Sequence, residues 1–189
     1  MTRRLRTSAR LVTAAVLAAA AMATAGAGEA LAAPQLQTLT VLNGGKNLAV
    51  QNGFGITTPA QGGAAAQQFE LLFPGSAGSS EPGFGSAFQL KNRVSGKCLR
   101  DIGNGSQVVE QTCFANPSVN SAQLWQQHIQ PEREVNGKRF FHLFNRKTDR
   151  VLSQAPQFGN AVPVVSSPPA SNTASAAVAL QLWTLARVN

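Results

Sequence analysis

Residues 122–125 read AQLW and residues 180–183 read LQLW, so a Gln two residues before a Trp occurs twice in this chain of 189 residues. Each copy closes a segment that opens in a similar way. Residues 90–99, LKNRVSGKCL, open the first segment, and residues 143–152, LFNRKTDRVL, open the second. The two openings align residue for residue, with Asn-Arg, a hydroxyl residue, a turn residue and a basic residue in the same order. The sequence therefore predicts an internal repeat.

A third, more divergent copy precedes these two. Residues 39–50, LTVLNGGKNLAV, open it, and Gln67 with Phe69 closes it, so that Phe stands where the other copies have Trp. The closing aromatic residues lie at positions 69, 125 and 183, with spacings of 56 and 58 residues. We predict three repeats, at about residues 37–74, 86–131 and 139–189.

The N-terminus has the features of a secretory signal peptide. Four Arg residues lie among the first ten residues, an apolar run follows from Leu11 to Ala25, and residues 30–32 form an Ala-x-Ala cleavage site. The apolar run is shorter than the roughly 20 residues that a membrane span needs, so an uncleaved anchor is the less favoured alternative. We predict a signal peptide of residues 1–32 and a secreted, extracellular protein of residues 33–189, forming a single domain without a membrane span.

Without this leader the chain carries 12 basic and 7 acidic residues, a net charge of +5. A basic patch can meet nucleic acid or an anionic polymer. In an exported protein, however, a solvated charged rim is the favoured interpretation, and we expect no nucleic acid partner. The basic residues that lie close together in sequence are Lys138, Arg139, Arg146, Lys147 and Arg150.

Cys98 and Cys113 are the only cysteines of the chain. An even pair in an exported protein predicts a disulfide. The pair lies within the second repeat, so the bond would join parts of one unit. No Cys-x-x-Cys and no second pair exist to complete a zinc site, and we expect neither a metal nor a cofactor.

No part of the chain after the leader shows a sustained apolar period of 3.6 residues. Short runs of β-forming residues instead alternate with turn clusters such as Asn43-Gly44-Gly45, Gly103-Asn104-Gly105 and Asn136-Gly137. This pattern predicts an all-β protein. Because one repeat cannot bury its own large aromatic residue, we expect three units to share one core. The predicted strands are residues 38–42, 69–73, 87–92, 107–112, 140–145 and 161–166, and Ser166–Ala179 is predicted to be a loop.

These motifs resemble the ricin-type (ricin B-like) lectin family, whose fold is a β-trefoil of three pseudo-symmetric repeats with Gln-x-Trp near the end of each. The resemblance covers residues 37–189 and is strongest from Ser95 to Trp125. It implies that the aromatic residues belong to the core and that the Gln residues hold backbone. Stacking of the Trp rings on a ligand is the less favoured alternative. The structural positions are Gln67, Phe69, Gln123, Trp125, Gln181 and Trp183.

The resemblance also implies where a sugar would bind. Such a pocket uses an Asp just after Cys-Leu, an aromatic platform two residues before the second Cys, and an Asn before the motif Gln. The second repeat has Arg100, Gln111 and Ala122 at these positions, with Asp101 displaced by one place. For the Asp and Asn, the first repeat has Ala49 and Ala66, and the third repeat has Ser153 and Leu180.

The second repeat is therefore the only credible carbohydrate pocket. In the alternative interpretation, residues 101–105 form a tight turn in which Asp and Asn bond their own backbone. The polar candidates for carbohydrate binding are Asp101, Asn104, Gln111 and Asn116.

Catalysis is not predicted. The two histidines, His128 and His142, have no Ser, Cys or metal-ligand partner at an informative spacing, and a satisfied strand histidine is favoured for His142. No acidic pair fits a glycosidase motif.

Two functions remain. One is a secreted carbohydrate-binding module, monomeric, that binds a glycan or polysaccharide weakly through the second repeat. The other is a trefoil with degenerate sugar sites that binds a secreted protein or acts as an inhibitor.

Overall fold

The computed structural model describes residues 35–74, 84–118, 121–128, 132–170 and 175–188. All of them lie in one compact unit, Ala33–Asn189. The predicted signal peptide lies outside the described residues, so its cleavage stays a prediction. No helix among the described residues has both the length and the apolar character to cross a bilayer.

Strands form almost all of the regular structure in these residues. The first repeat contributes β1 to β4, the second contributes β5 to β8, and the third contributes β10 to β13, with β9 between them. The strands are β1 (Leu36–Val41), β2 (Asn47–Gln51), β3 (Phe54–Thr58), β4 (Phe69–Leu72), β5 (Gln89–Asn92), β6 (Cys98–Arg100), β7 (Val109–Gln111), β8 (Trp125–Gln127), β9 (Arg133–Val135), β10 (Lys138–Asn145), β11 (Val151–Gln154), β12 (Val162–Ser167) and β13 (Leu182–Arg187). The helical segments are two 3-10 turns, Asn43–Gly45 and Ala65–Gln67, and the helix α1 (Ala176–Ala179).

The first and fourth strands of the three repeats form a closed ring. β1 pairs antiparallel with β4 and β13, β4 pairs with β5, and β10 pairs with β13 and β8. An antiparallel bridge between Phe88, just before β5, and Trp125 in β8 completes the ring. Six strands thus close a barrel, which leaves none of them with an unpaired edge.

The second and third strands of each repeat form hairpins, β2–β3, β6–β7 and β11–β12. The three hairpins meet one another: β12 pairs with β3, β3 pairs with β7, and Gln107 bridges to Val165. A six-stranded barrel with three such hairpins is the β-trefoil. The predicted fold class is confirmed.

Equivalent residues of the three repeats fill the barrel. They come from the first strand, the second strand and the closing aromatic position of each repeat, and each is 0% exposed. Burying a side chain of this kind contributes about 1.5–3 kcal/mol. One core is therefore built from three copies of the same contribution, by Val41, Leu90 and Leu143, by Leu48, Leu99 and Leu152, and by Phe69, Trp125 and Trp183.

All six predicted strands are present, with ends that differ by no more than two residues. The prediction of a loop over Ser166–Ala179 is wrong at both ends, because β12 continues to Ser167 and α1 begins at Ala176. Ser175 caps this helix by accepting a hydrogen bond from Val178 N, and Val178 is buried against Phe140 and Leu182. Residues 171–174 of the predicted loop lie outside the described residues.

Candidate functional site

The Gln of the second Gln-x-Trp motif holds the loop that follows the third strand of its repeat. Gln123 Nε2 donates to the carbonyl of Thr112 at 2.8 Å, and Gln123 Oε1 accepts from the N–H of Phe114 at 2.9 Å. The same oxygen accepts from Gln89 Nε2 at 2.8 Å. Gln123 is completely buried. Its amide therefore satisfies backbone groups that would cost about 1–3 kcal/mol each if buried unpaired.

Gln67 and Gln181 repeat this pattern in the first and third repeats. In each, Nε2 donates to a carbonyl at 2.8 or 2.9 Å, and Oε1 accepts from the amide two residues later at 3.1 or 2.8 Å. Each of the three motif Gln residues therefore holds the same two backbone groups of its repeat, a carbonyl and the N–H two residues later. The bound residues are Pro59 with Gln61 in the first repeat, and Pro168 with Ala170 in the third.

The two Trp side chains are parts of the core. The indole N–H of Trp125 donates to the carbonyl of Leu99 at 3.2 Å, and that of Trp183 donates to the carbonyl of Leu152 at 2.8 Å. Both rings are 0% exposed. A buried indole needs such a partner for its N–H, and neither ring is accessible to a ligand in this structure.

The Asn of the opening turn joins a repeat to the one before it. Asn92 Oδ1 accepts from two N–H groups of its own turn at 3.0 and 3.2 Å, and Nδ2 donates to the carbonyl of Ala66 at 3.0 Å. Asn145 Nδ2 likewise donates to the carbonyl of Ala122 at 2.8 Å. Ala66 and Ala122 stand immediately before the motif Gln residues. The sequence alignment contains both Asn residues, but it shows no reason for them.

The predicted disulfide between Cys98 and Cys113 is confirmed. The S–S distance is 2.02 Å and the Cα–Cα distance is 4.9 Å, within the usual range for such bonds. Cys98 begins β6, and Cys113 lies in the loop that Gln123 also holds. The disulfide and the motif Gln thus restrain the same loop of the second repeat.

Asp101 makes internal contacts with both carboxylate oxygens. Oδ1 accepts from the N–H of Gly103 at 2.7 Å, and Oδ2 accepts from the hydroxyl of Thr148 in the opening turn of the third repeat. Asp101 is only 2% exposed. It therefore forms the tight turn of the alternative interpretation. A contact between Asp101 and a sugar stays a prediction, and it would require displacement of Thr148.

The other three carbohydrate-binding candidates form no hydrogen bond with Asp101 in the described part of the chain. Asn104 is exposed, with a left-handed backbone (φ 55°), and Asn116 is exposed in the loop after Cys113. Gln111 is half-buried, and its Oε1 accepts from Arg100 Nη1 at 2.8 Å. No hydrogen bond joins any two of the four candidates in the described part of the chain.

Arg100 gives the second repeat a different polarity from that of the related lectins. It stands directly after Cys-Leu, where the resemblance implies an Asp, and a guanidinium can only donate hydrogen bonds. Its partner Gln111 stands where the resemblance implies the aromatic platform. The pair is half-buried on neighbouring strands, β6 and β7. The second repeat therefore has a hydrogen-bond donor at the position where the resemblance implies a carboxylate acceptor.

The corresponding positions of the other repeats hold no charged group. In the first repeat, Ala49 and Ala66 line a cavity of about 420 Å³ together with Ile56, Pro59 and Gln61. In the third repeat, Ser153 is buried and its hydroxyl donates to the carbonyl of Gln154 at 3.1 Å. Neither position offers a carboxylate that could accept hydrogen bonds from two vicinal hydroxyl groups.

Phe114 was missed by the sequence analysis as a candidate. Its N–H is held by Gln123, while the residue is 44% exposed. The exposed face of an aromatic ring can cover the apolar side of a sugar. The resemblance places the platform at Gln111, before the second cysteine, whereas Phe114 comes directly after it. An aromatic residue next to Cys113 is the signal that could have identified it.

The family described as "Ricin-type beta-trefoil lectin domain-like" has a sequence model that matches residues 65–166, which is more than half of the chain. The chain belongs to this family. The matched segment contains the whole of the second repeat, with its disulfide and the pair of Arg100 and Gln111. A comparison with curated proteins found no match.

Solved structures of other β-trefoils are similar to this member of the family. The ricin B-like lectin of Macrolepiota procera, in complex with lactose, has a TM-score of 0.58 at 18% identity, covering 82% of this chain and 96% of that one. The Rhizoctonia solani agglutinin has a TM-score of 0.56 at 17% identity, covering 82% of this chain and 95% of that one. The designed three-fold symmetric protein ThreeFoil has a TM-score of 0.57 at 19% identity, covering 79% of this chain and 96% of that one. At these identities the similarity shows a shared fold.

Proposed function

We propose that this protein is a secreted carbohydrate-binding module that binds a glycan or polysaccharide weakly through its second repeat. Membership of the ricin-type family supports carbohydrate as the ligand. The observation that carries the choice of repeat is the half-buried pair of Arg100 and Gln111, at the positions that the resemblance assigns to sugar binding. The first and third repeats have Ala49 and Ser153 at the place of Arg100.

Each group of this surface has a chemical role. Arg100 donates hydrogen bonds to hydroxyl or carboxylate oxygens of the glycan, and the amide of Gln111 can both donate and accept. Phe114 covers the apolar side of a sugar ring, while Asn104 and Asn116 form a polar rim. Binding is weak, because one hydrogen bond contributes only about 0.5–1.5 kcal/mol net and few side chains are available.

A binding screen tests the proposal. The disulfide-intact protein is applied to neutral glycans, acidic glycans and insoluble polysaccharides, and bound protein is competed with free sugar. We expect one class of glycan to bind. Gln111→Ala and Phe114→Ala should each weaken that binding about tenfold, which corresponds to about 1.4 kcal/mol.

Phe158→Ala is the matched control for the Phe114 variant. Phe158 is fully exposed in the third repeat, so its removal also deletes an exposed aromatic ring, but away from the proposed site. It should leave glycan binding unchanged. A blank across the whole panel, or equal binding by the parent, the Gln111 variant and the Phe114 variant, would contradict the proposal.

A protein ligand is the second candidate function. The observation that favours it is the engagement of both Asp101 oxygens inside the protein, which leaves this carboxylate without a free oxygen for a sugar. Two exposed phenylalanines, Phe54 and Phe73, offer apolar contacts at 45% and 60% exposure. A specific protein captured from culture fluid, together with a blank glycan panel, would support this function over the first.

A further inference from the structure

Two histidines and a glutamate meet beside the hairpin of β9 and β10. His128, Glu132 and His142 each offer one possible metal-ligand atom, and these atoms all lie within 4.8 Å of one another. The sequence analysis predicted no metal site and a satisfied strand histidine at His142. It missed the cluster because only the return of the chain through the hairpin brings His142 beside His128 and Glu132.

Regular backbone structure positions each of the three residues. The N–H of Glu132 donates to the carbonyl of Phe140 at 2.9 Å, at the open end of the β9–β10 hairpin. His142 lies within β10, where it pairs with Leu182 of β13, and His128 forms an antiparallel bridge with Phe84. His142 thus lies on a strand, while His128 directly follows β8 and Glu132 directly precedes β9. Backbone pairing of this kind holds ligands more precisely than free loops do.

Aromatic rings pack around the two imidazoles. The ring of Phe84 lies 4.5 Å from that of His128, between centroids, and the ring of Phe144 lies 4.8 Å from His128 and 5.8 Å from His142. This packing restricts the rotamers of both histidines. The entropy that a bound ion would otherwise cost by fixing the imidazoles is therefore reduced.

The charge of the cluster suits a cation. The carboxylate of Glu132 contacts His128 Nδ1 and lies 3.5 Å from His142 Nδ1, and no Lys or Arg in the described segments forms an ion pair with it. Glu132 therefore places an anionic ligand beside one nitrogen of each imidazole.

We propose that His128, Glu132 and His142 form a binding site for a divalent transition-metal ion of the zinc class. Two imidazoles and a carboxylate are a ligand set that Zn²⁺ accepts, with solvent in the fourth position. Ligand atoms around tetrahedral Zn²⁺ are about 3.3 Å apart, so small side-chain movements close the site. The side chains of His128 and Glu132 are 31% and 22% exposed, which gives the ion access.

The composition of the chain makes this site testable without interference. The chain has only two histidines, and both belong to the cluster. Its two cysteines form the disulfide, so no free thiol is present. Zinc binding by an untagged protein therefore has no other imidazole or thiolate to use.

The experiment is a calorimetric titration of the purified, untagged protein with Zn²⁺, and a parallel titration with Co²⁺ followed by visible absorption. We expect one ion per chain and the absorption bands of four-coordinate cobalt. Glu132→Gln and His128→Gln should each weaken zinc binding at least about tenfold, the lower end of the loss for outer-shell partners. Mg²⁺ and Ca²⁺ should not compete, because they prefer all-oxygen sites.

Glu134→Gln is the matched control. It removes the same charge two residues away, from an exposed position on β9, and should bind zinc like the parent. His142 is buried and its replacement could unfold the protein, so the test uses the more exposed His128 and Glu132. Their variants should keep the parent's thermal midpoint in chelator. Absence of zinc binding by the parent, or an equal loss in the Glu134 and Glu132 variants, would overturn the proposal.

Discussion

The three repeats resemble one another closely on their inner side, at the core and the motif Gln residues. They differ at the position where the resemblance implies a sugar contact. On the inner side, Gln67, Gln123 and Gln181 bind the same two backbone groups in every repeat. At the position after the second-strand Leu, in contrast, the repeats hold Ala49, Arg100 and Ser153, of which Ala49 and Ser153 are buried and Arg100 is half-buried. A barrel closes only if all three repeats contribute equivalent strands and core residues, whereas a surface site needs one repeat alone. The repeats can therefore differ at their surfaces without loss of the fold.

Trp125→Ala tests the inner side with the largest expected effect. Trp125 lies in β8, whose bridge to Phe88 completes the barrel. The substitution removes its completely buried ring and the hydrogen bond from the indole N–H to the carbonyl of Leu99. Deleting a buried Trp costs about 3–5 kcal/mol. Urea unfolding should show a loss of that size, while Phe158→Ala should unfold like the parent. Equal stability of the two variants would refute the shared core.

Removing the disulfide tests a restraint that only the second repeat has. The double substitution Cys98→Ser with Cys113→Ser opens a loop with a sequence separation of 15. The chain-entropy argument gives a loss of about 3 kcal/mol. The thermal midpoint should fall, and reduction of the parent should reproduce the fall. A midpoint unaffected by both treatments would show that the Gln123 contacts suffice to hold this loop.

Gln123→Ala and Gln181→Ala sharpen the comparison between repeats. Each substitution leaves a carbonyl and an amide of the following loop without their partner, at a cost of about 1–3 kcal/mol for an unpaired buried group. The two losses, measured by urea unfolding, should be similar, because each amide also bonds one further side chain, Gln89 in the case of Gln123 and Ser167 in the case of Gln181. A loss in one variant alone would show that the pattern of contacts does not carry the same energy in each repeat.

Asp101→Asn and Gln111→Ala separate structure from recognition within the second repeat. Asp101→Asn weakens the contacts with Gly103 and Thr148 and should cost about 1 kcal/mol. Gln111→Ala should change the free energy of unfolding by less than about 0.5 kcal/mol, as for most surface residues. Chemical unfolding measures both values. If Gln111→Ala lost more stability than Asp101→Asn, Gln111 would have a structural role and not a role in recognition.

The sequence predicted the fold through features that are local and repeated. Two Gln-x-Trp motifs with aligned openings predict three repeats, and the single cysteine pair predicts the disulfide that the structure contains. Other strands were missed, among them β2 and β3 of five residues each and several shorter ones. β6 and β8 have three residues each. β6 is held by pairing with β5 and β7, and β8 by pairing with β10 of the next repeat, and not by their own propensity.

The candidate sites were harder to predict, because their chemistry depends on partners far away in the sequence. Asp101 is the residue type that the resemblance implies for sugar binding. Its Oδ2 atom, however, accepts a hydrogen bond from Thr148, which lies 47 residues later in the sequence. His128 and His142 have no informative spacing, yet the hairpin through Asn136 and Gly137 brings them beside Glu132.

The sequence by itself determined the β-trefoil, because each repeat carries its own turn, core and Gln-x-Trp signals and the fold is their threefold combination. Only the tertiary structure decided which polar side chains are used internally and which face outward. The physical reason is that a buried polar group must find a partner wherever the chain supplies one. Long-range pairing therefore directs Asp101 inward, brings the histidines to Glu132 and leaves Phe114 exposed.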